Sequence, residues 1–205
     1  TMNGMPMPKV GIIPTSNPNA FATGRNPKNA VVCATEGIMR LLDDDELAGV
    51  MAHEMAHVKN RDILVMSVAS TIAGAISFAA RFAFYGALFN GRRNEGGMII
   101  ALLVAITAPI AAMIVQLAIS RNREYKADRE GAKLIGRPMH LARALEKLEY
   151  ANRRDPIRFG NPSSSNMFIV NPFRCGGLAN LFMTHPPMAE RIKRLKQQAS
   201  EMGRF

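Results

Sequence analysis

Two long apolar stretches, residues 63–89 and 98–119, constrain what this chain can fold into more than any other feature. The first carries one charge, Arg81, and the second none. As helices they would be roughly 40 Å and 33 Å long at about 1.5 Å per residue, enough to cross a bilayer with tilt. Pro109, inside the second, is better tolerated in a membrane than in water. Residues 90–97 (NGRRNEGG) form a short polar link, so the pair reads as a helical hairpin. The alternative is two buried core helices, but such helices normally keep a polar stripe, and these are apolar all round.

The sequence on either side of the hairpin is polar, basic and ordinary for a soluble domain. Short apolar runs at residues 10–13, 20–23 and 30–34, separated by Gly24, Asn26, Pro27 and Asn29, predict a small N-terminal sheet containing a hairpin. Residues 36–42 look helical. Asp43 followed by Glu46 is a capping-box start for a helix running through His57. Helical sequence resumes after Ser120 to about Leu134, again over residues 141–150, and in a basic amphipathic helix over 187–202. Residues 155–175, rich in Pro, Asn, Ser and Gly, read as a long loop. The expected fold class is α+β and mainly helical, with residues 1–62 and 120–205 forming one domain into which a transmembrane hairpin (63–119) is inserted.

A net charge of +10 admits nucleic acid, an anionic membrane surface or an acidic partner. With no Trp, three Tyr, and Lys and Arg scattered until the final helix, the chain lacks a basic motif interleaved with aromatics, so no nucleic-acid partner is expected. Membrane proximity is the better explanation. The two cysteines, Cys33 and Cys175, fit no metal-knuckle spacing and suit a reducing compartment. Residues 1–14 contain no apolar leader and do not resemble a native start, so a longer parent protein is expected.

His53-Glu54-Met55-Ala56-His57 is an HExxH sequence. On a helix, four residues return both imidazoles to nearly the same face, about 40° apart, where they can bind one metal ion. Imidazole suits zinc, and Glu54 is placed to polarise a water on the metal rather than to ligate it. A catalytic zinc needs a third protein ligand, and few candidates exist. His140 and His185 are the only other histidines, and His140 reads as a helix-start residue. Glu124 and Asp128, four apart on one helix face, offer a ligand and a carboxylate to hold a histidine by its second nitrogen. The bland alternative is an exposed helix of solvated ion pairs. Two spans would return the chain to its starting side, so the candidate ligands before and after the hairpin can meet just outside the bilayer. Lys59, Arg61, Arg121, Arg123 and Lys126 at that end outnumber Arg92 and Arg93 in the link, which favours a cytoplasmic site.

Four segments together, HEMAHVKNRD (53–62), REYKAD (123–128), NAFATG (19–24) and THPPMAERI (184–192), make the chain resemble the HtpX membrane metalloproteases, and more distantly the CaaX prenyl-protein peptidases within the gluzincins. The resemblance covers nearly the whole chain, without the pair of membrane helices that usually precedes the catalytic region. It implies a zincin-like domain with one zinc ion on His53, His57 and Glu124, Glu54 as general base and Asp128 behind the ligands. It further implies that Asn19, Ala20 and Phe21 lie on a strand that pairs with extended substrate, that His185 stabilises the oxyanion and that Arg191 contacts substrate. For His185 and Arg191 a loop-to-helix junction pinned by Pro186 and Pro187 is the alternative. The implied activity is endopeptidase cleavage of unfolded or damaged membrane proteins at the cytoplasmic face of the inner membrane. A processing peptidase for lipidated C-termini remains open, as does a membrane scaffold or chaperone with a structural zinc, which would need a fourth protein ligand.

Overall fold

The structure, a computed structural model, describes residues 4–90, 95–154 and 185–203. It contains a three-stranded sheet and six α-helices among those residues: β1 (Lys9–Ile13), β2 (Ala20–Thr23), β3 (Val31–Thr35), α1 (Glu36–Leu41), α2 (Asp44–Lys59), α3 (Asp62–Asn90), α4 (Glu95–Ile135), α5 (Pro138–Arg154) and α6 (Met188–Glu201). The mainly helical α+β expectation holds. The loop expected at 155–175 and residues 91–94, which join α3 to α4, lie outside the described residues.

β2 and β3 are the expected antiparallel hairpin, closed through a short 3-10 turn at Pro27–Asn29. β1 pairs in parallel with the other side of β3, giving the order β1-β3-β2 and leaving β2 on an edge. Thr35 ends β3 and caps α1, its hydroxyl accepting from the Ile38 amide at 3.2 Å. Asp43 caps α2 in a reciprocal box with Glu46, which satisfies two otherwise orphaned amides and stabilises the helix start by about 1 kcal/mol.

The chain divides into two compact units, Thr1–Leu64 with Arg121–Phe205, and Val65–Ser120. In the first, α2, α5 and α6 pack beside the sheet around Ile38, Val50, Leu141, Leu145, Ile192 and Leu195. Each such side chain contributes about 1.5–3 kcal/mol by leaving water. In the second, the apolar parts of α3 and α4 have mean hydropathies of 2.0 and 2.7, yet only 6% of either segment is buried. Phe78, Phe82, Ile99 and Leu103 are each at least 60% exposed. Helices so apolar and so open are not the core of a soluble domain, and lipid is the solvent that suits them. Within this unit Gln116 donates to Ser70 Oγ at 2.7 Å. α4 does not break at Ser120; it runs on for a further fifteen residues or so, carrying Glu124 and Asp128 on the same helix as the apolar stretch.

Candidate active site

α2 carries His53, Glu54 and His57 and packs against β2 on one side and the polar end of α4 on the other. His53 and His57 present Nε2 atoms 3.1 Å apart, their rings edge to face. From α4, Glu124 brings Oε2 to 3.8 Å from His53 Nε2 and Oε1 to 3.5 Å from His57 Nε2. One ligand atom from each of these three residues lies within 4.8 Å of the others. The close approach of α4 requires Gly131, because a Cβ there would lie 2.8 Å from both Cα and N of His53. Gly131→Ala should therefore push α4 off α2, destabilise the fold by about 1–3 kcal/mol and weaken metal binding; thermal melts and metal titration unchanged from wild type would contradict this packing.

The other nitrogen of each imidazole faces a carboxylate. His53 Nδ1 lies 3.0 Å from Asp128 Oδ1, and His57 Nδ1 lies 2.7 Å from Asp62 Oδ2. This orients both rings and turns both Nε2 atoms inward as lone-pair donors. Three acceptors then converge, and one of them, Glu124 Oε2, has no hydrogen-bond donor among the described residues. That donor set fits a metal cation: two imidazole nitrogens and one carboxylate oxygen, three of the four ligands a zinc-like ion takes, which leaves one position for a water.

The electrostatics agree. Burial alone would lower His57, but its hydrogen bond to Asp62 and the charges of Glu124 and Glu54 raise its pKa to about 9, so the pocket favours positive charge. Burial opposes ionisation of Glu124 too, yet His185 and Arg191 hold its carboxyl well below the usual carboxylate range. Asp128, likewise penalised by burial, is pulled down to about 2 by the Arg191 guanidinium. Glu54 goes the other way, since burial pushes it up and His53 and His57 only partly offset that. A carboxylate with a raised pKa is suited to accepting a proton.

Glu54 Oε2 accepts from the Ala22 amide of β2 at 2.9 Å. Asn19 accepts from the Thr35 amide on the β3 side at 2.9 Å, and backbone groups alternate in direction along a strand. Ala20 and Ala22 therefore turn theirs to the open edge, beside Glu54. Of the residues expected on this strand, Asn19 and Ala20 are buried and Phe21 is half-buried.

His185 stands just before α6 with Nδ1 3.3 Å from Glu124 Oε2. Neither ring nitrogen has a hydrogen-bond partner among the described residues, although both are buried. Arg191, expected to contact substrate, has no exposed surface. Its guanidinium forks onto Asp128 at 2.7 and 2.8 Å and lies 3.3 Å from Glu124 Oε2, which places it behind the candidate ligands rather than in a cleft. Asp62 and Arg123, which pair with each other, were not anticipated. His140, in the first turn of α5, lies 3.7 Å from Asp45 and takes no part in the site.

Residues 2–199 match the sequence family described as Peptidase family M48. The chain is 59% identical over 198 residues to a "Protease HtpX homolog" of Syntrophotalea carbinolica, covering 95% of this chain and 71% of that one. It is 54% identical over 206 residues to a "Protease HtpX homolog" of Thermococcus sibiricus, covering 98% and 70%. Among solved structures it resembles the crystal structure of S. mikatae Ste24p with a TM-score of 0.62 at 22% identity, covering 94% of this chain and 47% of that one. The chain thus spans about half the length of Ste24p, and that likeness is one of fold.

A zincin-like domain bearing an HExxH helix and two apolar membrane-length helices define a membrane metalloprotease. The chain belongs to peptidase family M48, among its HtpX proteases.

Proposed function

We propose that the chain is an endopeptidase with one zinc ion held by His53, His57 and Glu124, and that it cleaves unfolded or damaged membrane proteins at the cytoplasmic face of the inner membrane. The observation that carries this reading is the convergence of those three donors while Glu54, the neighbouring carboxylate, is bonded to the open edge of β2 instead of joining them. When bound, the ion supplies a Lewis acid that lowers the pKa of water and polarises a carbonyl. The protein's own residues do the rest. Glu54 takes the proton from the attacking water and passes it to the leaving nitrogen. An extended substrate pairs with the outward-facing backbone groups of Ala20 and with the Ala22 carbonyl on β2, which also holds Phe21 and follows directly on Asn19. His185, whose ring nitrogens have no hydrogen-bond partner among the described residues, donates to the developing oxyanion. Arg191 acts through Asp128 and Glu124 and not on substrate. In this reading residues 1–62 and 120–205 are the protease domain, and 63–119 is an inserted membrane hairpin.

Detergent-purified protein is expected to cleave an unfolded soluble substrate such as casein, to stop on treatment with a zinc chelator and to recover when zinc is restored. Indifference to the chelator would contradict the metal mechanism. A strict need for a lipidated C-terminus would replace quality control with specific processing.

A further inference from the structure

We infer that Asp62 is a positioning residue for His57, fastened in place by Arg123, and that this pair ties the metal site to the feet of both apolar helices. The inference rests on the reading of His57 as a metal ligand.

Asp62 follows His57 by five residues, and in an uninterrupted helix that step would carry it about 140° around the axis, away from the imidazole. The contact exists because α2 ends at Lys59, with Asn60 as its C-cap, and the chain reverses at Arg61, whose φ of 53° is in the left-handed region that non-glycine residues seldom occupy. Backbone strain of this kind persists where the surroundings hold it. Here α4 does the holding. Arg123 pairs with Asp62 and donates to Asn60 O at 2.8 Å, and Glu130 accepts from Asn60 Nδ2 at 2.8 Å. The turn is thereby gripped by one face of α4 at two points seven residues apart.

The result is specific to His57. Asp62 is 5% exposed and places Oδ2 2.7 Å from His57 Nδ1, fixing the tautomer that leaves Nε2 free for metal. A buried carboxylate needs a counter-charge, which Arg123 supplies. Asp62 is the first residue of α3, immediately before the apolar stretch, while Arg123 lies four residues beyond the apolar stretch of α4 and next to Glu124. α4 thus delivers one ligand through Glu124 and supports another through Arg123. A displacement of the α4 foot from the α3 foot would disturb both at once. A structural ion pair would stabilise the fold without tuning the metal; a positioning pair must do both.

The test is Zn²⁺ affinity by chelator competition, together with the visible spectrum of the Co²⁺-loaded protein, on detergent-solubilised chains whose folding is verified by melting. Asp62→Ala is expected to weaken Zn²⁺ binding by about 10–100-fold and to alter the Co²⁺ bands, with Asp62→Asn losing less because its amide oxygen still accepts from Nδ1. Arg123→Ala is expected to weaken binding in the wild-type background and to add nothing to Asp62→Ala. Wild-type affinity and spectrum in folded Asp62→Ala would overturn the inference while leaving the metal site intact. Should Asp62→Ala not fold, Arg123→Ala and Asp62→Asn decide, and wild-type values in both would overturn it equally. Failure of the unaltered protein to bind Zn²⁺ would overturn this inference and the reading beneath it together.

Discussion

Glu54→Gln is expected to leave metal content at the wild-type level and to lower kcat by about 10²–10⁴-fold, the range set by loss of a positioned general base. The donors that converge are His53, His57 and Glu124, so Glu54 can be changed without emptying the site. Glutamine keeps the shape of the side chain, and its amide oxygen can still accept from the Ala22 amide that Glu54 Oε2 meets at 2.9 Å. What it cannot do is take a proton. The raised pKa of Glu54, caused chiefly by burial, equips it for that task. Parallel measurement of metal content and casein turnover separates the two roles. Retained turnover would remove Glu54 as base, and loss of metal would make it a ligand.

The largest stability effect should come from Arg191→Ala. Arg191 is fully buried, and its removal leaves Asp128, itself 4% exposed, without the guanidinium that forks onto it at 2.7 and 2.8 Å. Breaking one partner out of a buried pair costs about 3–5 kcal/mol, because the remaining charge stays desolvated. For a chain of this size that corresponds to a fall in melting midpoint of roughly 6–20 °C. The loss should extend to metal binding, since Asp128 faces His53 Nδ1 at 3.0 Å and Arg191 also lies 3.3 Å from Glu124. Arg191→Lys keeps the charge without the fork and should fall between. A melt shifted by only a degree or two in the alanine variant would mean that Asp128 finds another partner.

Some of this was legible in the sequence because it follows from spacing on a single helix. The i, i+4 step brings His53 to His57 and sets Glu124 and Asp128 on one face of α4, and the Asp43–Glu46 box marks where α2 begins. The unbroken apolar character of residues 63–89 and 98–119 also announced its own environment. What sequence could not give is what depends on contacts across elements. The place of β2 on the sheet edge follows only once β1 has paired with the far side of β3. Asp62 falls on the wrong helical face until the chain reverses at Arg61, so its contact with His57 was invisible to periodicity. Arg191 sits in a basic amphipathic helix whose other cations are exposed; its spacing from Met188 and Leu195 sets it on the apolar face, but nothing local shows which carboxylates it meets there. Gly131 looks like a weak point in a helix until the His53 backbone is found against it.

The elemental metal content of the purified, detergent-solubilised protein tests the central claim most directly, with Glu124→Ala measured alongside the unaltered chain. One zinc per chain in the unaltered protein and a marked loss on replacing Glu124 are expected from the three converging donors. Absence of metal from the unaltered protein, or a full complement of zinc without Glu124, would contradict the assignment of this centre.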